Sequence, residues 1–219
     1  MREAFSEQLS TVRDELVEMA GRVRQAVADA TIALIEADGA LASSVIDSDV
    51  AIDLLRVKIE EDSFQMMALQ SPVATDLRML VAGLRMVSDL ERMGDLAKKI
   101  GKNVSYLCGV PPTSANVDFR DIAEKARLMV KRSMDAFVNG DADLARQVLA
   151  DDDEVDRLKD ELYEELRNTI RNHPDELDSL LKLYSVTRNL ERLGDMATHI
   201  AEEVIFIIEG DIVRHNAGA

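Results

Sequence analysis

The sequence predicts an all-α protein, built by tandem duplication of two antiparallel three-helix bundles with six long helices in total. One observation is composition: Ala, Leu, Val, Glu and Asp dominate the 219 residues, aromatic residues make up only 4%, and Trp is absent. This composition is typical of long helices. No segment shows the alternation of apolar and polar residues that marks a strand. The other observation is an internal repeat that spans roughly half the chain.

The repeat is visible in two places. Segment 37–53 (ADGALASSVIDSDVAID) aligns without gaps with segment 140–156 (GDADLARQVLADDDEVD) at an offset of 103 residues. The phrase Leu-Glu-Arg-x-Gly-Asp occurs at 90–95 and again at 190–195, at an offset of 100 residues. A connection in the second copy is therefore three residues shorter than its counterpart in the first.

Turn-forming residues divide each copy into three helices. In the first copy we expect helices over 4–37, about 40–69, and from Pro72 to about 107. In the second copy, Asn139-Gly140 and Asn172-His173-Pro174 provide the corresponding breaks. Short connections make neighbouring helices antiparallel, as in an up-down-up bundle.

The two adjacent prolines Pro111 and Pro112 lie in the least helical stretch of the chain, where no helix can continue. The sequence therefore predicts a first bundle over residues 1–108, a linker over 109–116 and a second bundle over 117–219.

Charge and apolar content limit the possible functions. The formal net charge is −16 at pH 7, so nucleic acid and anionic membrane surfaces are disfavoured, whereas cations and basic protein surfaces are favoured. Cys108 is the only cysteine, which excludes an intramolecular disulfide. The chain starts without a signal-peptide pattern, and its late apolar run, 204–208, is too short to span a membrane. We expect a soluble cytoplasmic protein.

Four acid-x-x-x-acid pairs are the strongest candidate site residues. At 100° per residue, each pair continues the apolar stripe of its helix instead of lying opposite it. Such carboxylates, brought together between helices, repel one another unless a cation lies between them. All-oxygen ligands suit iron, manganese, magnesium or zinc. The predicted metal ligands are Asp49, Asp53, Glu91, Asp95, Asp152, Asp156, Glu191 and Asp195.

Residues near these pairs modify the hypothesis. His199 follows Asp195 by one helical turn and is a further candidate ligand, and Glu203 follows His199 by another turn. The first copy has Lys99 where the second has His199, so we expect a weaker first site. A network of ion pairs without metal is the alternative. Gly94 and Gly194 stand between the acids, which indicates close approach of a neighbouring helix or of metal-bound solvent.

Four segments together resemble the PhoU family: 72–78 (PVATDLR), 89–95 (DLERMGD), 189–195 (NLERLGD) and 209–215 (EGDIVRH). The resemblance runs over essentially the whole chain. It implies two similar three-helix bundles whose acid-x-x-x-acid motifs bind clusters of iron or other metals. One departure is Lys99, where the family often has Asn, and this lysine would compete for the carboxylates of the first site.

The resemblance also implies a function. Members are cytoplasmic negative regulators of the phosphate-starvation response, thought to connect the ATPase subunit of the phosphate ABC transporter to a sensor histidine kinase. We therefore expect a non-enzymatic, metal-binding adaptor that forms a homodimer and binds neither nucleic acid nor the membrane interior.

Two alternatives remain at this point: a structural helical scaffold, and a carboxylate-bridged metalloprotein with no role in phosphate transport. A ferritin-like di-iron enzyme is disfavoured, because none of His173, His199 and His215 has an acidic residue three positions before it.

Overall fold

The structure is a computed structural model that describes residues 2–70, 72, 74–115 and 117–214, without the side chains of 2–4 and 74. The helices are α1 (Arg2–Glu36), α2 (Gly39–Gln70), α3 (Ala74–Cys108), α4 (Arg120–Asn139), α5 (Ala142–Ala150), α6 (Asp152–Asn172) and α7 (Leu177–Glu209), with a 3₁₀ turn at Pro174–Glu176 before α7. No strand occurs in these ranges. The predicted all-α class is confirmed.

The predicted duplication is also confirmed. Helices α1, α2 and α3 pack against one another, and α4, α5, α6 and α7 form the second bundle. The two bundles meet where α3 packs against α7 and α1 packs against α4. Buried apolar side chains form one continuous core that includes Leu16 and Leu90 of the first bundle and Leu166 and Leu190 of the second. The interface between the bundles is therefore part of the hydrophobic core.

The second copy differs from the prediction at its middle helix, which is interrupted at Asp151 between α5 and α6. The Asp151 N–H contacts the carbonyl oxygens of both Gln147 and Val148 at 3.2 Å, so the regular helical hydrogen bond is shared there. Its carboxylate binds Arg132 of α4 at 2.7 Å. Asp151 begins a run of four acidic residues, which repel one another and favour helix ends over helix interiors. The interruption falls directly before the acidic residues of the second candidate site.

The two copies share the same turn between their first and second helices. Asp38 and Asp141 are equivalent N-cap residues: Asp38 Oδ1 accepts from Leu41 N at 3.0 Å, and Asp141 Oδ1 accepts from Leu144 N at 2.9 Å. The residue before each cap is left-handed, with φ 64° at Gly140 and φ 51° at Ala37. Glycine adopts this conformation without a steric penalty, whereas alanine does not.

None of the helices in the described ranges is long and apolar enough to cross a membrane.

Replacing Ala37 with glycine should stabilise the protein, because it removes the left-handed strain from the first copy of this turn. We expect the Ala37→Gly substitution to raise the free energy of unfolding by about 0.5–1 kcal/mol. The matched Gly140→Ala substitution introduces the same strain into the second copy and should lower it by about 1 kcal/mol. Denaturant unfolding of both variants measures the effect. Equal changes in the same direction would contradict this explanation of the turn.

Candidate metal centres

The first acidic cluster lies between α2 and α3. Helix α2 contributes Asp49 and Asp53, and α3 contributes Glu91 and Asp95. Asp49 is only 4% exposed, and the Lys98 ammonium group of α3 hydrogen-bonds to its carboxylate. This hydrogen bond raises the pKa of Lys98, and the charges of Asp49, Asp95 and Asp53 raise it further, while burial opposes them. A lysine therefore supplies positive charge to this cluster.

Further cations border the first cluster. Burial raises the pKa of Glu91, as do the charges of Asp95 and Asp53, and the nearby Arg56 partly offsets them. Arg56 itself donates to Glu60 at 3.1 Å. The predicted competitor Lys99 lies 3.6 Å from Asp95. Lys98, which was not among the residues predicted from the sequence, contacts the cluster more closely than Lys99 does.

The second cluster lies between α6 and α7 and has the same plan. Helix α6 contributes Asp152, which is 6% exposed, and Asp156. Helix α7 contributes Glu191 and Asp195. The ammonium group of Lys159, a side chain 19% exposed, lies 2.9 Å from Asp156 Oδ1 and 3.5 Å from Glu191 Oε1, so it bridges the two helices.

In the second cluster, the two acids contributed by α7 have raised pKa values. Burial and the neighbouring Asp195 raise the pKa of Glu191. Burial raises the pKa of Asp195 too, together with the charges of Asp152 and Asp156. Burial alone would lower the pKa of Lys159, but its hydrogen bond to Asp156 and the surrounding acids raise it overall. Lys159 therefore contacts Asp156 and Glu191, and its charge also acts on Asp195.

The two glycines within the motifs face the opposite helix. A methyl group at Gly94 would come within 3.0 Å of Ile52 Cδ1 and 3.7 Å of Asp49 Oδ1. At Gly194 the nearest atoms would be those of Met129 and Val155, both at 3.6 Å. The close approach of α2 therefore limits side-chain size at Gly94, whereas an alanine at Gly194 would make ordinary van der Waals contacts.

His199 and Glu203 do not join the second cluster directly. His199 Nδ1 lies 3.7 Å from Asp89 Oδ1 of α3, and this carboxylate raises the pKa of His199 against the opposing effect of burial. Glu203 pairs with Arg85 of α3 at 3.1 Å. Both residues therefore belong to the interface between the bundles, although the charge of His199 still reaches Asp195.

The α3–α7 contacts show how the copies are related. Arg85 contacts Glu203, and the equivalent residues at an offset of 100, Asn103 and Ser185, form a hydrogen bond of 3.2 Å. The same pair of helical positions therefore meets twice, with α3 and α7 exchanging roles. This exchange is what a pseudo-twofold axis between the bundles produces.

The sequence contains a signal that could have predicted Arg56 and Lys159 as the cations of the two clusters. Arg56 and Lys159 are separated by 103 residues, the same offset that aligns the acidic pairs. A basic residue thus follows the second Asp of the α2 and α6 pairs by three positions in both copies. Lys98 has no such signal, because Thr198 occupies its equivalent position.

Both clusters fit a metal cation in donor chemistry and in excess negative charge, since hard and borderline cations prefer carboxylate oxygens. In the present arrangement, however, no group of three or more His, Cys, Asp or Glu side chains in the described ranges is placed so that it could hold a metal ion. The lysine ammonium groups contact the carboxylates instead. Metal ligation would require these side chains to rearrange and the lysines to move away.

Fold and site together define a class: duplicated helical-bundle proteins with an acidic cluster at the equivalent place in each copy. The family model described as the PhoU domain matches residues 16–104 and again residues 119–204. The chain therefore belongs to the PhoU family, and the resemblance inferred from its motifs is confirmed.

Similar proteins extend this match to nearly the full chain. A phosphate-specific transport system accessory protein PhoU homolog of Pseudomonas putida is 38% identical over 213 residues, which cover 96% of this chain and 83% of the relative. A protein of the same description from Aquifex aeolicus is 37% identical and covers 95% of this chain and 94% of its own length. The crystal structure of PhoU from Pseudomonas aeruginosa superimposes with a TM-score of 0.90 at 36% identity, over 94% of this chain and 100% of that one.

Removing the bridging lysine should destabilise the second bundle in a pH-dependent way. The Lys159→Met substitution keeps the length of the side chain but removes the ammonium group that contacts Asp156 and Glu191. We expect a loss of about 1–2 kcal/mol in the free energy of unfolding near pH 7. The loss should shrink as the pH falls and Glu191 and Asp195, whose pKa values are raised, become protonated.

The control is Arg157→Met on the same helix, which removes an exposed pair with Glu161. This variant should change stability by less than about 0.5 kcal/mol at any pH. Urea unfolding between pH 4 and pH 8 makes the comparison. A Lys159→Met effect that grows on acidification would contradict the role given to this lysine.

Proposed function

We propose that this protein regulates phosphate uptake and phosphate-starvation signalling as a metal-binding adaptor in the cytoplasm. In this proposal it contacts the ATPase subunit of the phosphate ABC transporter and a sensor histidine kinase, and it performs no catalysis. The observation that carries the proposal is membership of the PhoU family over both copies of the repeat, with relatives named as phosphate-specific transport system accessory proteins.

Surface properties support action through protein contacts. The net charge of −16 favours docking against basic protein surfaces. Exposed apolar side chains such as Ile35 and Leu181 provide further contact area. We take the acting unit to be a homodimer, for which these apolar positions on long helices are suitable.

A bound metal ion would serve a structural or sensing role in this adaptor. Asp49, Asp53, Glu91 and Asp95 would hold it in the first cluster, and in the second it would be held by the equivalent residues Asp152, Asp156, Glu191 and Asp195, with iron first and manganese, magnesium or zinc as alternatives. The metal would neutralise the carboxylates and join the two helices of each cluster. These carboxylates would have to turn toward the ion, and Lys98 and Lys159 would have to leave them.

The second cluster should bind metal more tightly than the first. The first cluster already interacts with Lys98 and Arg56, whereas Lys159 is the internal cation of the second. Asp152→Asn/Asp156→Asn should therefore abolish the tighter binding, and Asp49→Asn/Asp53→Asn should preserve it. Each double variant removes the same two charges, so each is the other's matched control.

Metal content after reconstitution and the shift of the melting temperature with Fe²⁺, Mn²⁺, Mg²⁺ or Zn²⁺ measure this binding. An unchanged melting temperature with all four ions would favour the purely structural ion-pair network. Tighter binding at the first cluster would contradict the charge argument.

The adaptor role predicts direct binding to both proposed partners. Purified full-length protein should bind the isolated transporter ATPase subunit and the cytoplasmic region of the sensor kinase, with affinity that falls as salt concentration rises. Calorimetry or surface-based binding at two salt concentrations provides the test, with an unrelated transporter ATPase as the control. If neither partner binds while metal does, the protein is a metal-binding helical scaffold and the adaptor proposal fails.

A further inference from the structure

The outward face of α2 carries a stripe of exposed apolar side chains. Val50 is 62% exposed, Leu54 68%, Val57 45% and Phe64 58%. Their spacing of four, three and seven residues places them on one side of the helix, along about 21 Å of its axis. We call these four residues the α2 stripe.

No described element covers the α2 stripe. Among the helices of the structure, α2 packs only against α1 and α3. The side of α2 that faces those helices has its own apolar residues, including the buried Ile52 and Ile59. Helix α2 is therefore apolar on two opposite sides, and one of them has no partner within the chain.

The second copy shows that the fold does not need this stripe. At the repeat offset of 103, the stripe positions correspond to Asp153, Arg157, Asp160 and Arg167 of α6, all of them exposed. The buried positions keep their character, since Ile52 corresponds to the buried Val155 and Ile59 to the buried Leu162. One scaffold position thus has charged residues in one copy and apolar residues in the other. Packing within the bundle therefore does not account for the apolar residues on the outward face of α2.

The charged residues beside the α2 stripe indicate which kind of binding partner would fit this surface. Asp47 and Glu61 are exposed on the same side of α2, and neither has a salt-bridge partner in the part of the chain that the structure describes. The one basic residue on this side, Lys58, is held by Glu15 of α1 at 2.5 Å. The surface thus combines an apolar centre with unneutralised negative charge.

We infer that the α2 stripe is the docking surface for a segment of another protein whose apolar side chains are flanked by Lys or Arg. Apolar contact supplies the affinity, and the acids select the basic flanks. A second copy of this chain is a poor occupant, because pairing two α2 stripes brings Asp47 and Glu61 of both chains to one interface. The inference rests on the proposed adaptor function and assigns one of its contacts to α2.

Site-specific photo-crosslinking in cells tests this inference. A p-benzoylphenylalanine residue replaces Val57 in the full-length protein, and the same residue at Asp160, the equivalent position of the second copy, is the matched control. We expect an adduct from position 57, at least tenfold above that from position 160, to another polypeptide whose crosslinked segment contains apolar residues and Lys or Arg. Added Leu54→Arg and Phe64→Arg substitutions, which copy Arg157 and Arg167, should reduce the adduct at least tenfold.

The double variant should remain folded, because arginine occupies the equivalent positions on α6 and both replaced side chains are exposed. An unchanged circular dichroism spectrum and melting temperature verify this point. An adduct from position 57 no stronger than from position 160 would overturn the inference. So would an adduct to a second copy alone, to an acidic segment, or one that the double substitution leaves unchanged.

Binding to the purified transporter ATPase subunit and kinase separates this inference from the proposed function. One outcome is that the Leu54→Arg/Phe64→Arg protein binds both partners as tightly as the wild type and that position 57 gives no adduct. In that case the adaptor function stands, and the α2 stripe is not its docking surface. If the wild type binds neither, but position 57 crosslinks to a basic, apolar segment of a different protein, the α2 stripe is a docking surface and the phosphate adaptor function fails.

Discussion

Carboxylates packed between helices need nearby positive charge, and much of the architecture follows from this constraint. Each bundle places four acids where its second and third helical segments meet. A lysine contacts part of each set: Lys98 contacts Asp49 in the first, and Lys159 contacts Asp156 and Glu191 in the second. Without such charge, burial and mutual repulsion would oppose the packing that brings the helices together. Burial, together with the charges of neighbouring acids, raises the pKa values of Glu91, Glu191 and Asp195.

The same helices that carry these acids also hold the two halves together. Helices α3 and α7 are each the third segment of one bundle and the principal contact with the other, and their contacts repeat about a pseudo-twofold axis. The repeat is imperfect in charge, since Arg85 and Glu203 on one side correspond to Ser185 and Asn103 on the other. A change in charge at either cluster acts on a helix that also forms the interface between the bundles. A metal ion bound at either cluster would therefore act on a helix that joins the two bundles.

Much of the fold could be predicted from the sequence because it depends on local signals and on the repeat. Glycines, asparagines and prolines marked the helix ends, and the offsets of 103 and 100 residues revealed the duplication. The interruption at Asp151 was missed because no glycine or proline marks it, and the cause is a run of acids with a tertiary partner, Arg132. The acidic clusters followed from helical periodicity. Which cation faces which acid depends on the long-range packing of neighbouring helices, so Lys98 and the contact between His199 and Asp89 could not be predicted.

An internal lysine lies where a metal ion would bind in the second cluster, and we expect the two cations to compete. Calorimetric titration of the wild type and of the Lys159→Met variant with Mn²⁺ tests this claim most directly. We expect the variant to bind the ion at the second cluster at least fivefold more tightly, because no ammonium group has to be displaced and the local negative charge is greater. Equal or weaker binding by a folded variant would contradict it.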